Sequence, residues 1–189
     1  MLLLTLGLLL FALTHLYPSL WPAHRAQLRE RLGEQRYKGL FSLAVFVAFG
    51  LLFAGWRATL PEPFYTPPTW GRPAAMVMLP LGIWLVCCSF GPNHLRRWLH
   101  HPQLLGFMLW AVGHLLVNHE GRSLLLFATL ALWALASLML ILRRDGWHTQ
   151  VAAPDWRADL ACFAGAAALV ATLLLGGHHW LTGIALLPR

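Results

Sequence analysis

The chain has 189 residues, 58% of them hydrophobic and only 11% charged, with a formal net charge of +7 and a mean hydropathy of +0.60. A soluble domain carries about 25% charged residues, and here the 14 basic and 7 acidic side chains fall between or beyond long apolar runs. That distribution excludes an ordinary water-soluble enzyme, a disordered tail and a disulfide-stapled secreted module, and it predicts an integral membrane protein.

A helix needs about 20 apolar residues to cross the hydrocarbon. In chain order six uncharged runs qualify: Met1–Trp21, Gly39–Trp56, Pro73–Gly91, Pro102–Asn118, Ser123–Leu142 and Leu160–Pro188. They are apolar all round, where barrel strands would alternate apolar and polar residues. The expected fold is therefore all-α: a polytopic integral membrane helix bundle with six transmembrane helices in a single domain, residues 1–189. The first run has no basic segment before it, and Pro18–Pro22 offers no small-residue cleavage site, so it is read as a span rather than a signal peptide.

Charge gives the orientation. The first loop, Tyr17–Lys38, carries Arg25, Arg29, Arg31, Arg36 and Lys38; the third carries Arg96 and Arg97; the fifth carries Arg143, Arg144 and Arg157. The other side has only Arg57, Arg72, Arg122 and Arg189. This bias puts the odd-numbered loops in the cytoplasm and both termini on the non-cytoplasmic side. It also accounts for the net positive charge without a nucleic-acid partner. Trp21, Trp56, Trp70, Trp98, Trp147, Trp156 and Trp180 fall near span ends, where indoles favour the headgroup level, whereas Trp84, Trp110 and Trp133 lie within spans and are expected to pack or to line something.

The spacing dismisses several chemistries. Cys87, Cys88 and Cys162 form no CxxC or CxxCH pattern and read as buried thiols. There is no glycine-rich phosphate loop, GxSxG elbow or HExxH. All seven carboxylates sit in loops or at span edges, so a buried acid–base pair lacks its acid.

Histidine remains. Of ten, His15 lies inside the first span, His114 inside the fourth, and His178 and His179 near the outer end of the sixth. His101 stands at the cytoplasmic mouth of the fourth span, before Pro102, while His24, His94, His100, His119 and His148 are in or beside loops. At 1.5 Å per residue, His15 is about 18–21 Å from the outer start of its helix, and His114 about 15–20 Å from the cytoplasmic start of its own. Both fall near the middle of the bilayer, where neutral imidazoles can ligate haem iron or another transition metal, or simply hydrogen-bond another helix. His101 is 13 residues from His114, out of phase on the same helix, and cannot share its site.

The stretch RRWLHHPQLLGFMLWAVGHLLVNHEGRSLLLFATLALWAL resembles the NnrU family of bacterial membrane proteins, with its HPxLxGxxLWxxxHLLxN pattern. The resemblance extends over the chain: His15 followed by the basic loop and GEQRYKGLFSL, Pro92–Pro102 as the third loop, and HHWLTGIAL at the end. Leu16, His100, His119 and His179 depart from the family's usual residues without removing a candidate ligand. The resemblance implies a multi-pass protein of the bacterial inner (cytoplasmic) membrane associated with denitrification, that is, with nitrite and nitric oxide reduction. The same superfamily includes plant ζ-carotene isomerase, which implies haem b held between two histidines, matching His15 and His114 here. Gly106, Trp110, His114 and Asn118 recur at i+4 on the fourth helix. In that setting Gly106 would allow close approach, Trp110 would offer a flat wall and Asn118 would orient the imidazole, with His101 and His178 as secondary candidates. The expected partners are the lipid bilayer, haem, and nitric oxide or an apolar polyene. Two alternatives stay open: a non-catalytic membrane assembly or regulatory factor, and an isoprenylcysteine-type methyltransferase.

Overall fold

A computed structural model describes residues 1–146 and 153–187. The sequence expectations for Trp147, His148, Pro188 and Arg189 lie outside the described residues. Eight α-helices follow one another: α1 (Leu2–Leu20), α2 (Pro22–Leu32), α3 (Glu34–Ala58), α4 (Gly71–Cys87), α5 (Pro102–Leu115), α6 (Gly121–Asp145), α7 (Trp156–Thr172) and α8 (His178–Thr182). A 3-10 turn, His94–Arg97, precedes α5, and a π-helical turn, Leu173–Gly177, joins α7 to α8. Among the described residues the only β pairing is an isolated bridge between Pro63 and Glu120.

Each of the six apolar runs contains a helix among the described residues. Among the described residues four helical stretches are long and apolar enough to cross a membrane: Leu2–Leu20, Glu34–Ala58, Gly121–Asp145 and Trp156–Thr182, the last interrupted at Gly176, with Gly71–Cys87 as a shorter apolar helix. α5 ends at Leu115 rather than Asn118 and is about 21 Å long, against a hydrocarbon thickness of about 30 Å. Outward-facing Phe46, Met76 and Leu175 are 77%, 71% and 84% exposed, an apolar surface suited to lipid and not to water.

The basic segment Tyr17–Lys38 was expected as a loop, and the structure corrects this. Pro22 occupies the first turn of α2, and Arg, Ala, Gln, Leu and Glu follow, all good helix formers. α2 buries no residue. It joins its neighbours through single residues, Trp21 on one side and Gly33, at φ 76°, on the other. Side chains brace both joints. The Tyr17 hydroxyl bonds His24 Nδ1 at 2.9 Å, while Glu34 pairs with Arg29 across Gly33 and with Lys38 at 3.0 Å. The hydrogen bonds from Arg29, then Lys38, hold the Glu34 carboxyl below its ordinary pKa.

Packing is built on two antiparallel pairs, α1 with α3 and α4 with α5; α6 lies between α1 and α5, and α7 packs on the free side of α4. Each pair closes at glycine. A Cβ on Gly55 would stand 2.3 Å from Leu4 N, and one on Gly7 would stand 2.8 Å from Leu52 N. Between α4 and α5, a Cβ on Gly106 would meet Gly82 O at 2.5 Å, and one on Gly82 would meet Gly106 O at 2.8 Å. A buried cluster of Phe11, Ala48, Trp133 and Ala134 ties α1, α3 and α6 together, with Leu104, Phe107 and Met108 of α5 packed against it.

Two polar clasps close the Cys87 end of α4 against α7. Asn93, fully buried, donates to Cys88 O at 2.8 Å and Phe90 O at 3.0 Å and accepts from Arg96 N at 3.1 Å. Asp159 of α7 accepts from His94 N at 2.9 Å and pairs with His94 Nδ1 at 2.5 Å.

Gly106→Val forces side-chain atoms into the Gly82 backbone, and overpacking of this kind costs about 1–3 kcal/mol or more. The expected result is a clear drop in Tm of the purified protein in detergent, larger than for Gly50→Val, where nothing lies within 4 Å of the added carbon. For the second clasp the hydrogen bonds from the His94 side chain, then its backbone, lower the Asp159 pKa. A depressed carboxylate stabilises above its unfolded value and loses that contribution as pH falls through its folded value. Asp159→Asn is therefore expected to lower Tm at pH 7, with the gap to wild type closing below about pH 4 in a series of melts across pH.

Candidate functional site

His114 occupies the last turn of α5. Its Nδ1 donates to the Trp110 carbonyl one turn earlier, at 2.8 Å. A carbonyl can only accept, so in the neutral ring the proton is on Nδ1 and Nε2 carries the free lone pair. The ring stacks on Phe127 of α6 with centroids 4.4 Å apart and an interplanar angle of 23°. Trp110 tilts against the same ring at 4.5 Å, with an interplanar angle of 53°, and meets Phe127 edge-on at 5.2 Å. Trp110 thus forms one aromatic wall beside the imidazole. Phe127, which no sequence pattern singled out, forms the second.

Two residues of the i+4 stripe have other roles. Gly106 faces the backbone of α4 at Gly82 and Val86, so its missing side chain lets a helix approach rather than a ligand. The Asn118 amide donates to the main-chain carbonyl of His114 at 3.0 Å; it closes the end of α5, and the carbonyl of Trp110 is what orients the ring. The Asn118 carbonyl in turn accepts from the Tyr65 hydroxyl at 2.8 Å, and that hydroxyl also contacts the Leu115 carbonyl. Tyr65 was missed in the sequence because it sits alone in a proline-rich loop. Burial pushes its phenol above the ordinary value, keeping the O–H in place as a donor.

His15 repeats the His114 arrangement on α1. Its Nδ1 donates to the Phe11 carbonyl at 2.8 Å, leaving Nε2 with the lone pair. Its ring meets Phe11 at 4.2 Å, Trp133 at 5.4 Å and Phe41 at 5.6 Å. Trp133, one of the three within-span indoles expected to pack or to line something, packs edge-on against His15. Its Nε1 and the Ser137 hydroxyl one turn away are buried without a partner.

The structure places His15 and His114 on different levels. His15 lies at Trp133 and His114 at Phe127, six residues apart on α6, which is about 9 Å. Along α5, Phe107 meets Trp133 at 6.0 Å and is seven residues from His114, about 10 Å. Two imidazoles on one iron need metal–nitrogen bonds of about 2 Å, so their Nε2 atoms must come within about 4 Å. Phe107 and Trp110, 6.4 Å apart, occupy the interval between the two rings. The donor chemistry of His114 fits a residue that would hold haem iron, whereas the level of His15 does not make it the partner of His114 in this arrangement.

The secondary candidates divide as well. His101 caps the start of α5, about 20 Å from His114 along the helix. Burial, then the neighbouring His100, lowers its pKa. His178 opens α8, and its Nδ1 donates to the Ile184 carbonyl at 2.9 Å, again leaving Nε2 with the lone pair. Among the described residues no three His, Cys, Asp or Glu side chains gather into a metal-binding group. Two shallow recesses of roughly 320 and 340 Å³ open elsewhere, one beside Thr59 and Arg122 and one on the Leu105–Val112 face of α5.

The model of one family, described as NnrU protein, matches residues 3–186. The chain belongs to the NnrU family. The match covers α1 through α8, so the His15, Trp110–His114 and His178 segments all lie inside the NnrU region. No curated protein and no solved structure matches the chain.

Tyr65→Phe removes the hydroxyl that ties the α3–α4 loop to the end of α5. Loss of hydrogen bonds of this kind costs about 1–2 kcal/mol, and the expected outcome is a lower Tm in detergent. A Tm equal to wild type would show that the α5 end is held by the Asn118 amide alone.

Proposed function

We propose that this NnrU protein binds a b-type haem within a six-span bundle of the bacterial inner membrane, and that His114 Nε2 and a second imidazole would hold it. The observation that carries this reading is the His114 ring itself. Its Nδ1 is committed to a backbone carbonyl, and two aromatic walls fix its plane. Ligating histidines have this outer-shell hydrogen bond, which selects the tautomer and raises the basicity of the ligating nitrogen. In the proposed topology α4 and α5 cross as the short third and fourth spans, and the ten bases of the odd-numbered loops keep those loops in the cytoplasm and both termini outside.

The residues of this chain bind, orient and keep out water. Trp110 and Phe127 shield the imidazole from solvent, and the bond to the Trp110 carbonyl stops the ring from turning. The haem, when bound, would supply a redox-active iron able to take up nitric oxide or to polarise an apolar polyene, the two chemistries linked to denitrification and to ζ-carotene isomerase-like isomerisation.

The test is an absorption spectrum of protein purified after haem-replete expression. The expected result is a Soret band in both oxidation states, lost or reduced at least tenfold in His114→Ala. A wild-type protein without a Soret band would remove the reading. So would full biological function in His114→Ala, and the assembly-factor alternative would then gain if charge reversals in the exposed α2 abolished function.

A further inference from the structure

We propose that α2 is a surface helix that takes the headgroups of anionic phospholipids, with the Arg25 guanidinium on the lipid phosphate, at the end of the bundle where α1 and α3 meet it. This surface lies apart from His114 and does not depend on a haem.

The register of α1 and α3 lays α2 across the spans. The two helices are antiparallel, and the His15 ring meets the Phe41 ring at 5.6 Å. Leu20, the last residue of α1, lies five residues beyond His15, and Glu34, the first of α3, lies seven residues beyond Phe41 toward the same end. At 1.5 Å per residue these two ends differ in height by about 3 Å. α2 has 11 residues, about 16 Å of helix, and one residue joins it at each end, Trp21 and Gly33. A rod of that length, tied to two ends of nearly equal height, lies across the spans at the level of the headgroups. Trp21, 54% exposed, stands at the first joint, and an indole favours that layer.

The two faces of α2 suit that position. Arg25, Leu28, Arg29 and Leu32 recur at three- and four-residue spacing and are half-buried, whereas Ala23, Gln27, Glu30 and Arg31 on the opposite side are exposed. The half-buried face turns toward the spans, where leucines meet hydrocarbon while arginines reach back to the headgroups. Pro22–Lys38 carries five bases against two carboxylates, and one of these, Glu34, is already held by Arg29 and Lys38. Among the described residues Arg25, Arg31 and Arg36 make no ion pair. Two donors at this corner are buried without a partner: Arg25 Nε and the hydroxyl of Tyr37 in the first turn of α3, a residue only 8% exposed. Such donors are costly unless an acceptor reaches them, and a lipid phosphodiester offers charged acceptor oxygens that suit a guanidinium. An acidic protein segment would match the charge as well, but a helix tied at both ends to apolar spans meets lipid first.

The test uses the full chain in detergent, with phosphatidylglycerol or phosphatidylcholine of matched chain length added and lipid retention read by native mass spectrometry. Wild type should hold phosphatidylglycerol about tenfold more tightly than phosphatidylcholine. Each base near a lipid surface contributes a factor of about five, so Arg25→Gln should weaken phosphatidylglycerol binding about fivefold. Arg25→Lys, which keeps the charge, should lose less, and Arg57→Gln, at the far end of α3, should bind as wild type does. Arg36→Gln, across the Gly33 joint, should also weaken binding and gives a second reading if circular dichroism shows Arg25→Gln to be unfolded. Equal retention of the two lipids by wild type would overturn the proposal and leave α2 as a surface for an acidic protein. A folded Arg25→Gln that binds phosphatidylglycerol like wild type would also overturn it, as would an equal loss in Arg57→Gln, the mark of net charge alone. Inorganic phosphate at matched ionic strength should leave the lipid in place; displacement would make free phosphate the ligand and overturn the lipid surface.

Discussion

In hydrocarbon a helix gains little by burying leucine against leucine, since lipid tails are as apolar as the partner. What holds this bundle is close backbone approach at glycine. Gly7 and Gly55 lock α1 to α3, and Gly82 and Gly106 lock α4 to α5. At these points main-chain atoms fill the place where a Cβ would sit, so the pairs cannot slide without a clash. Everything else, including the depth of each histidine, is measured from these two fixed contacts. α6 then joins the pairs through aromatic side chains, Trp133 toward α1 and Phe127 toward α5.

That construction separates two environments that look equivalent in the sequence. His15 and His114 each bond the carbonyl one turn back, and each leans on an aromatic residue of α6. Because α1 runs with α6 and α5 runs against it, equal depths counted from opposite membrane faces do not coincide. The His15 level also holds the unpartnered Trp133 Nε1 and Ser137 hydroxyl, polar atoms with no counterpart around His114. The His114 ring is instead flanked by Trp110 and Phe127.

Much of the fold was legible because charge and hydropathy segregate so cleanly: each apolar run holds a helix among the described residues, and Pro102 marked the start of α5. The NnrU pattern was legible too, since its His, Pro, Gly, Trp and Asn stand at fixed offsets. What did not show was any property set by a neighbour in space. Gly106 read as a point of close approach, but only the position of Gly82 reveals that what approaches is α4. Asn118 falls on the same stripe as His114, yet at the helix end its amide reaches a carbonyl before it reaches the ring. Phe127 and Tyr65 are ordinary residues in their own segments and acquire a role only across helices. α2 was misread for a different reason: a strongly basic stretch reads as solvated chain, although nothing in its composition opposes a helix.

The way α1, α2 and α3 are joined ties the surface to the interior. With single-residue joints at Trp21 and Gly33 and side chains bracing both, α2 has no slack to absorb a change in length. One inserted residue would turn whatever follows by about 100°, swinging Gly55 away from Leu4. The number of residues in an exposed, wholly unburied stretch is thereby made as strict a requirement as the identity of the glycines it helps to align.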